Sequence, residues 1–392
     1  MGDLFSFKDF LKHLETLSEE EQLIVLSRLS DLAKKNEPKN TELAKPDSSG
    51  TRVLSCPNCG SVNYKKHGTK DGKQRYRCKE KECGKTFMLT TNTIFARSRL
   101  SESQWKIIIR GIVQNLSNNQ IADEANLSTK STWSNKAKIM SLIQSRFGVQ
   151  DNFKGTVECD EAELHLSYKG KRDPQFFIYK LGRMPRHHRS YAEKLKYLEK
   201  YGFMKELEAE PEKLEALLSN KNYLEGTKKD SVCILTGKDH KNNLYIKPIC
   251  VGKLESTHVT TEFEHRFDDV GVMITDSSPA YRWFAERNNI HLEQIPSGKH
   301  SIGKYNLARI NALHSNLKMF YAKNRKNLPA TKYLDLGLDL FWWLEKNKDL
   351  SAKEQIEALF KLMQEEYLIL TYQELRHRKL TLDRKGILPP NL

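Results

Sequence analysis

The sequence predicts an α/β chain: a mixed sheet with helices on its faces, preceded by a zinc ribbon and a helical region of helix-turn-helix type. Three observations predict it. Beyond residue 150, short apolar strand-like runs alternate with helix-period stretches, in the order three strands, helix, strand, helix, strand, helix. One of those strands, Val272-Met273-Ile274-Thr275, ends in Asp276, and the last helix carries Asn311, Ser315 and Lys318 on one face at 0, +4 and +7. Ahead of them, Cys56, Cys59, Cys78 and Cys83 stand in two pairs.

Composition bounds the partners. The 392 residues hold 65 Lys and Arg against 50 Asp and Glu, a net charge of +15 that favours a polyanion such as DNA or RNA. That length suffices for two or more domains. No apolar run is long enough to cross a membrane. Met1 to Phe10 contains Asp3 and Asp9 and lacks the apolar region of a secretory signal. An odd cysteine count in such a chain reads as cytoplasmic thiols plus a metal site.

The elements follow in order. Over residues 1–50 we expect a helical segment and linker. Leu11, Leu14, Leu17, Leu23, Leu26 and Leu29 recur at helical spacing, Ser18 and Glu21 match a capping box, and 35–51 is rich in Lys, Pro, Ser, Asn and Gly. Residues 51–97 form the ribbon. Four thiolates complete a tetrahedral zinc shell, so His67 is not needed. Gly60 and Gly84 follow the two pairs, where a tight turn needs a permissive residue. A redox dithiol fits poorly, because the pairs are separated and no helix follows the first. The ribbon is basic, from Lys65 to Lys79, which suits phosphate contact or a solvated face.

Residues 98–150 read as three helices. Ser101, Ser117 and Ser128 stand at helix starts, and a break falls near Asn126. Two helices about a short turn predict a helix-turn-helix that offers Thr129, Lys130, Ser131 and Ser134 to a DNA groove, although any three-helix bundle has this pattern.

Residues 151–345 form the α/β domain, with a charged insertion at 181–228, and 346–392 form a helical tail. A strand from Thr156 ends in Asp160, with Glu161 and Glu163 just beyond. Phosphoryl-transfer chemistry needs oxygens from separate strands converging on two Mg²⁺ ions. Asp160 and Asp276 converge if their strands are neighbours. Asn311 offers a third, neutral oxygen, and Lys318 a phosphate contact. The same helix face is also what plain amphipathic packing produces, with Ile310, Leu313, Leu317 and Phe320 turned to a core. In the tail, Ile356, Leu359, Phe360, Met363 and Tyr367 give an apolar face suited to intramolecular packing or to a dimer contact.

On these runs the chain resembles insertion-sequence transposases with an N-terminal zinc ribbon and a DDE, ribonuclease-H-like catalytic domain, and most narrowly the IS1595 (ISXO2-like) family. The matching runs are Cys56 to Phe87, Ser98 to Ile139, Val157 to Glu161, Ser231 to Gly237, Val272 to Tyr281 and Asn306 to Leu334. The most specific is Arg309-Ile-Asn-Ala-Leu-His-Ser-Asn-Leu-Lys318. The resemblance implies that Asp160 and Asp276 are the first two acids. It implies that Asn311, in place of the Glu of many members, is the third, with Lys318 seven positions on. It also implies structural Zn²⁺, catalytic Mg²⁺, terminal inverted repeats and target DNA as substrates, and a homodimer or higher oligomer on DNA. The expected activity is end cleavage and strand transfer in a cytoplasmic, DNA-associated protein. The rival readings are a zinc-dependent DNA-binding protein without catalysis, and an RNA-processing nuclease of the same fold.

Overall fold

The computed structural model describes residues 55–382, apart from 71, 97, 149, 186–189, 220–230, 300, 324–329 and 381. The helix expected over Phe7 to Lys35 and the linker after it lie outside these residues. The chain divides into two compact units, 1–96 and 97–392.

In the first unit, β1 (Tyr64–Lys70), β2 (Lys73–Cys78) and β3 (Thr86–Phe87) pair antiparallel in that order. Among the described residues its core is minimal. Phe87 is buried, and Tyr64 and Tyr76 pack on it with ring centroids 6.0 and 5.8 Å away. So few apolar side chains among the described residues offset little of the entropy of ordering the segment, which a metal cross-link would reduce.

The second unit opens with three helices whose starts are as the serines predict. Ser101 and Ser117 close capping boxes with Gln104 and Gln120 at the heads of α1 (Glu102–Val113) and α2 (Asn118–Ala125). Ser128 caps α3 (Thr129–Phe147). The break falls at Asn126, which takes φ 50°, a left-handed conformation that Asn tolerates better than most residues. The first two helices touch at Gly111, where a Cβ would lie 2.3 Å from Ile121 Cγ1.

The sheet has the order β6-β5-β4-β7-β8, from β4 (Lys154–His165), β5 (Ser231–Asp239), β6 (Leu244–Val251), β7 (Asp269–Asp276) and β8 (His291–Ile295). The first three strands in sequence form an antiparallel meander. Then β7 joins β4 in parallel and β8 joins β7 in parallel, each after a helical crossover: α7 (Ser256–Phe263) before β7, and α8 (Arg282–Arg287) before β8. Alternation along β4 and β5 then divides the side chains. Val157, Cys159, Cys233 and Leu235 face a core with Phe263, Tyr281 and Phe284. Glu158, Asp160 and Thr236 face the opposite side, where α9 (Ala308–Lys323) lies across β4 and β5. A two-residue hairpin, Ser301–Ile302 with Tyr305–Asn306, precedes α9.

One expectation is corrected. The strand does not end at Asp160. It runs on to His165, because Ala162 and Leu164 continue the alternation and β5 pairs it from Asp160↔Thr236 to His165↔Ser231. Asp160 therefore sits within β4, near where its pairing with β7 stops.

Helix α10 (Leu334–Lys346) binds the three-helix region to the sheet. Gln144 Nε2 donates to Asp339 Oδ2 at 2.7 Å, and Trp342 Nε1 donates to the Leu244 carbonyl at 2.9 Å. The described part of the charged insertion holds short helices, α4 (Tyr191–Lys200), α5 (Met204–Leu207) and α6 (Pro211–Leu218), around its own cluster of Ile178, Met184, Leu198, Phe203 and Leu217. In the tail, α11 (Ala352–Glu365) buries Leu359 and Met363 fully and packs on α1. Much of the face that suited a dimer contact is thus consumed within the chain. Helix α12 (Tyr372–His377) follows.

Candidate metal centres

The four ribbon cysteines converge. Cys56 Sγ lies 3.7 Å from Cys83 Sγ, and Cys59 Sγ lies 3.6 Å from Cys78 Sγ. All four sulfurs fall within 4.8 Å of one another. Thiolates 2.3 Å from a tetrahedral ion would stand about 3.8 Å apart, so the spacing suits zinc and is far too long for disulfides. Gly60 and Gly84 take φ 75° and 54°, and their N–H groups return to the Cys56 and Glu80 carbonyls at 2.8 and 2.9 Å. These are the turns their positions predict. Burial pushes the Cys56 thiol up, but the N–H groups of Asn58 and Cys59 outweigh it and bring the pKa down to about 7.

The second cluster is acidic. Carboxylate oxygens of Asp160, Glu161 and Asp276 lie within 4.8 Å of one another. The sheet explains the meeting. The last parallel pair of β4 and β7 is Glu158↔Ile274, and Asp160 and Asp276 each stand two residues beyond it. Glu161 points to the other face from Asp160, as alternation requires. It reaches the same place because the strands part there. Asp160 Oδ1 accepts the Glu161 N–H at 2.8 Å, Asp276 Oδ1 accepts the Ser278 N–H at 2.9 Å, and Ser278 Oγ donates to Glu161 Oε1 at 3.4 Å. The Tyr281 hydroxyl, fully buried, approaches Glu161 without closing a hydrogen bond.

Three acids in one half-buried place repel. Burial, and then the Asp276 and Asp160 charges, push the Glu161 pKa up to about 7. Burial and Asp276 raise Asp160 to about 6, against the pull of the Glu161 N–H and of Lys318. A divalent cation would relieve this repulsion, and its oxygen donors are the ones hard cations take. The donor set therefore fits a divalent ion held by Asp160, Glu161 and Asp276.

Helix α9 supplies the opposite wall. His314 is buried, with Nε2 2.8 Å from Thr236 Oγ1 and Nδ1 3.6 Å from Asp160 Oδ2. The Thr236 hydroxyl donates its one proton to the Asp160 carbonyl at 2.7 Å, so its oxygen is left to accept His314 Nε2–H. Nδ1 then turns a lone pair toward the Asp160 carboxyl. Burial, and then Lys318, lower the His314 pKa to about 4 and keep the ring neutral.

Of the residues expected in the site, the structure brings Asp160 and Asp276 together, and Lys318 is near enough for its charge to act on Asp160 and His314. Asn311 stands exposed one turn before His314 on the same helical face. Among the described residues no hydrogen bond joins its side chain to either aspartate. The sequence reading missed Glu161, His314 and Thr236 as site residues. His314 carried a signal, since it lies within the polar face of Asn311, Ser315 and Lys318. Glu161 carried only its place directly after Asp160, and alternation in a regular strand would send it to the other face.

The start of α3 does not stand alone in solvent. Lys130 Nζ lies 4.7 Å over the Tyr372 ring of α12, and Trp133 packs edge-on against Tyr333 at 5.2 Å. Among the described residues no helix is long and apolar enough to cross a membrane.

No family model matches the chain. A stretch of 121 residues, 31% of this chain, is 26% identical to an uncharacterised protein in transposable element ISH50 of Halobacterium salinarum. The match spans only 40% of that relative's length. A crystal structure of a pre-cleavage Mos1 transpososome aligns over 64% of this chain and 75% of that one, at 12% identity and a TM-score of 0.22. The chain thus has a distant, low-identity link to a protein of a transposable element, and its described residues include a cysteine cluster and an acidic cluster able to hold metal ions.

Proposed function

We propose that this protein is a DDE-type DNA transposase of the zinc-ribbon kind that the IS1595 (ISXO2-like) family represents, cutting the ends of an insertion sequence and joining them to target DNA. The observation that carries the reading is the convergence of Asp160, Glu161 and Asp276 where β4 and β7 part, beneath a helix bearing Asn311, His314 and Lys318. The antiparallel meander followed by parallel strands supports a ribonuclease-H-like domain. Bound at these acids, Mg²⁺, two ions in our reading, would supply Lewis acidity and neutralise charge building on a phosphate. Asp160 and Asp276 would hold it, with Asn311 as a neutral third oxygen donor. Lys318 would hold a DNA phosphate. Thr236, bonded to the Asp160 main-chain carbonyl and to His314, would tie β4 and β5 to α9 at the site. The ribbon's zinc would be structural, its basic strands and the start of α3 would position duplex ends, and the protein would act as a dimer or higher oligomer on DNA.

The test is cleavage of duplexes carrying the element's terminal inverted repeats by the full chain with Mg²⁺. We expect a nick that frees a 3′-hydroxyl, then joining of that end to a second duplex. Binding of the ends with no metal-dependent nick would leave the DNA-binding reading standing in its place. Preferred cutting of RNA would point to the processing nuclease.

A further inference from the structure

A cleft lies away from the acids, and the reading above uses one of its walls, the start of α3, but not the cleft itself. It measures about 1030 Å³ and has four walls: the start of α3, the loop 167–172 after β4, the turn 330–333, and α12. Its lining includes six cations, Lys130, Lys169, Lys171, Arg172, Lys332 and Arg376, and no Asp or Glu. Aromatic rings alternate with them: Trp133, Tyr168, Tyr333 and Tyr372. Three of the cations lie over rings. Lys130 Nζ is 4.7 Å from the Tyr372 centroid, Lys332 Nζ is 5.0 Å from that of Tyr333, and Lys171 Nζ is 3.8 Å from that of Phe176.

The walls are pinned to one another. Thr331 N donates to the Ser167 carbonyl at 2.9 Å, and Ser167 N to Thr331 Oγ1 at 2.7 Å. The Tyr333 hydroxyl donates to the Leu375 carbonyl at 3.0 Å, and Lys332 Nζ to the Arg376 carbonyl at 2.6 Å. The cations are therefore held together before any ligand arrives. Their crowding shows at Lys332, whose ammonium is made more acidic by burial and then by Arg376. Such a site gains most from a polyanion.

The shape selects among polyanions. A space of about 1030 Å³ cannot enclose a double helix, whose major groove alone is about 12 Å wide. A single strand does, with phosphates on the cations and bases against the rings. The cations come from four separate segments, which suits an extended chain better than one compact anion. Ser167 follows Asp160 by seven residues along and just beyond β4, roughly 20 Å of extended backbone. That is about six base steps of a stacked strand.

We infer that this cleft binds single-stranded DNA, taking the unpaired strand adjoining the acidic cluster. The role of the strand rests on the transposase reading; its binding does not.

The experiment uses the full chain without added Mg²⁺, so that catalysis plays no part. Fluorescence anisotropy follows labelled oligothymidylate, the matched duplex and oligouridylate across a salt series. The variants are Arg172→Glu with Arg376→Glu, and Tyr372→Ala, all at exposed positions. Circular dichroism melting confirms that each is folded. We expect the double charge reversal to weaken oligothymidylate binding at least tenfold and to flatten its salt slope, with duplex binding changed less than threefold. We expect Tyr372→Ala, which removes a stacking face and keeps all six cations, to weaken it about five- to tenfold. Unchanged oligothymidylate affinity in folded variants overturns the inference, as does equal loss for strand and duplex. Tighter binding of oligouridylate overturns the assignment to DNA. A chain that cuts end DNA yet keeps its single-strand affinity in the variants loses this inference alone. A chain that never cuts but shows the expected losses keeps it.

Discussion

Glu158 Oε2 accepts the backbone N–H of Ile310 at 3.0 Å, so a carboxylate from the middle of the sheet caps the first turn of the helix that carries Asn311 and Lys318. Arg309 adds a contact from Nη1 to Glu158 Oε1 at 3.4 Å. Glu158 is only 2% exposed and two residues from Asp160, so strand and helix are registered at the site itself. Replacing it with Ala would strand a buried N–H and remove a cap, at about 1–3 kcal/mol. Glu158→Gln keeps an acceptor oxygen and would cost less. Urea denaturation of both variants checks this. Equal stability of wild type and Glu158→Ala would show that the contact does not hold the helix.

The acidic cluster predicts how stability without metal depends on pH. Folding raises Asp160 to about 6 and Glu161 to about 7, from ordinary values near 3.9 and 4.3. Between about pH 4 and 7 the folded chain therefore binds more protons at these groups than the unfolded chain. Their contribution to stability falls as pH rises through that window. His314 acts oppositely. Its pKa falls to about 4 on folding, so its contribution rises with pH between about 4 and 6.5. The acids are thus clearest by difference. Glu161→Gln would gain melting temperature over wild type as pH goes from 5 to 8, and Mg²⁺ would stabilise wild type more at pH 8 than at pH 5.5. A wild-type-minus-Glu161→Gln difference that does not change with pH would contradict the raised carboxyl.

Much of this was readable in the residues. Apolar periodicity and serine caps gave the three helices, because caps and amphipathic faces are local. The strand at Val272 and the acid after it were equally local, and the Cys pairs announced their own geometry. What depended on pairing was hidden. Thr156 to Asp160 reads as a strand ending in acid, yet backbone pairing with β5 carries it to His165. Glu161 enters the cluster only because β4 and β7 part beside it, and one sequence gives no register between two strands over a hundred residues apart. The start of α3 looked free for a groove, and only the tertiary return of 330–333 and α12 makes it the wall of a cleft.

The ribbon predicts metal-dependent folding. Purified protein would hold about one zinc per chain, measured by elemental analysis. Cys78→Ser removes a buried ligand, so zinc content would drop by at least half and the ribbon's amides would lose protection from hydrogen exchange. Full protection in a zinc-stripped chain would mean that Tyr64, Tyr76 and Phe87 suffice as a core.

The sharpest question is which group completes the acidic site, Asn311 or Glu161. The family pattern points to Asn311. The geometry puts a third carboxylate, Glu161, within 4.8 Å of both aspartates, while Asn311 stands exposed across on α9. Asp160→Ala and Asp276→Ala would abolish end cleavage and leave end binding intact, since each removes a charged donor. On our reading Asn311→Ala loses on the order of 100-fold in cleavage rate, and Asn311→Asp keeps metal binding with an altered rate, because a further charge joins a crowded cluster. Glu161→Gln then loses only about tenfold, the scale of a partner that orients a ligand. Single-turnover cleavage with Mg²⁺ titrated for each variant separates the roles. A lost ligand raises the Mg²⁺ concentration needed for half-maximal rate, whereas a lost phosphate contact at Lys318→Ala raises the DNA concentration instead. If Glu161→Gln proves silent to any Mg²⁺ concentration while Asn311→Ala is nearly wild type, the assignment of Asn311 fails and Glu161 takes its place beside Asp160 and Asp276.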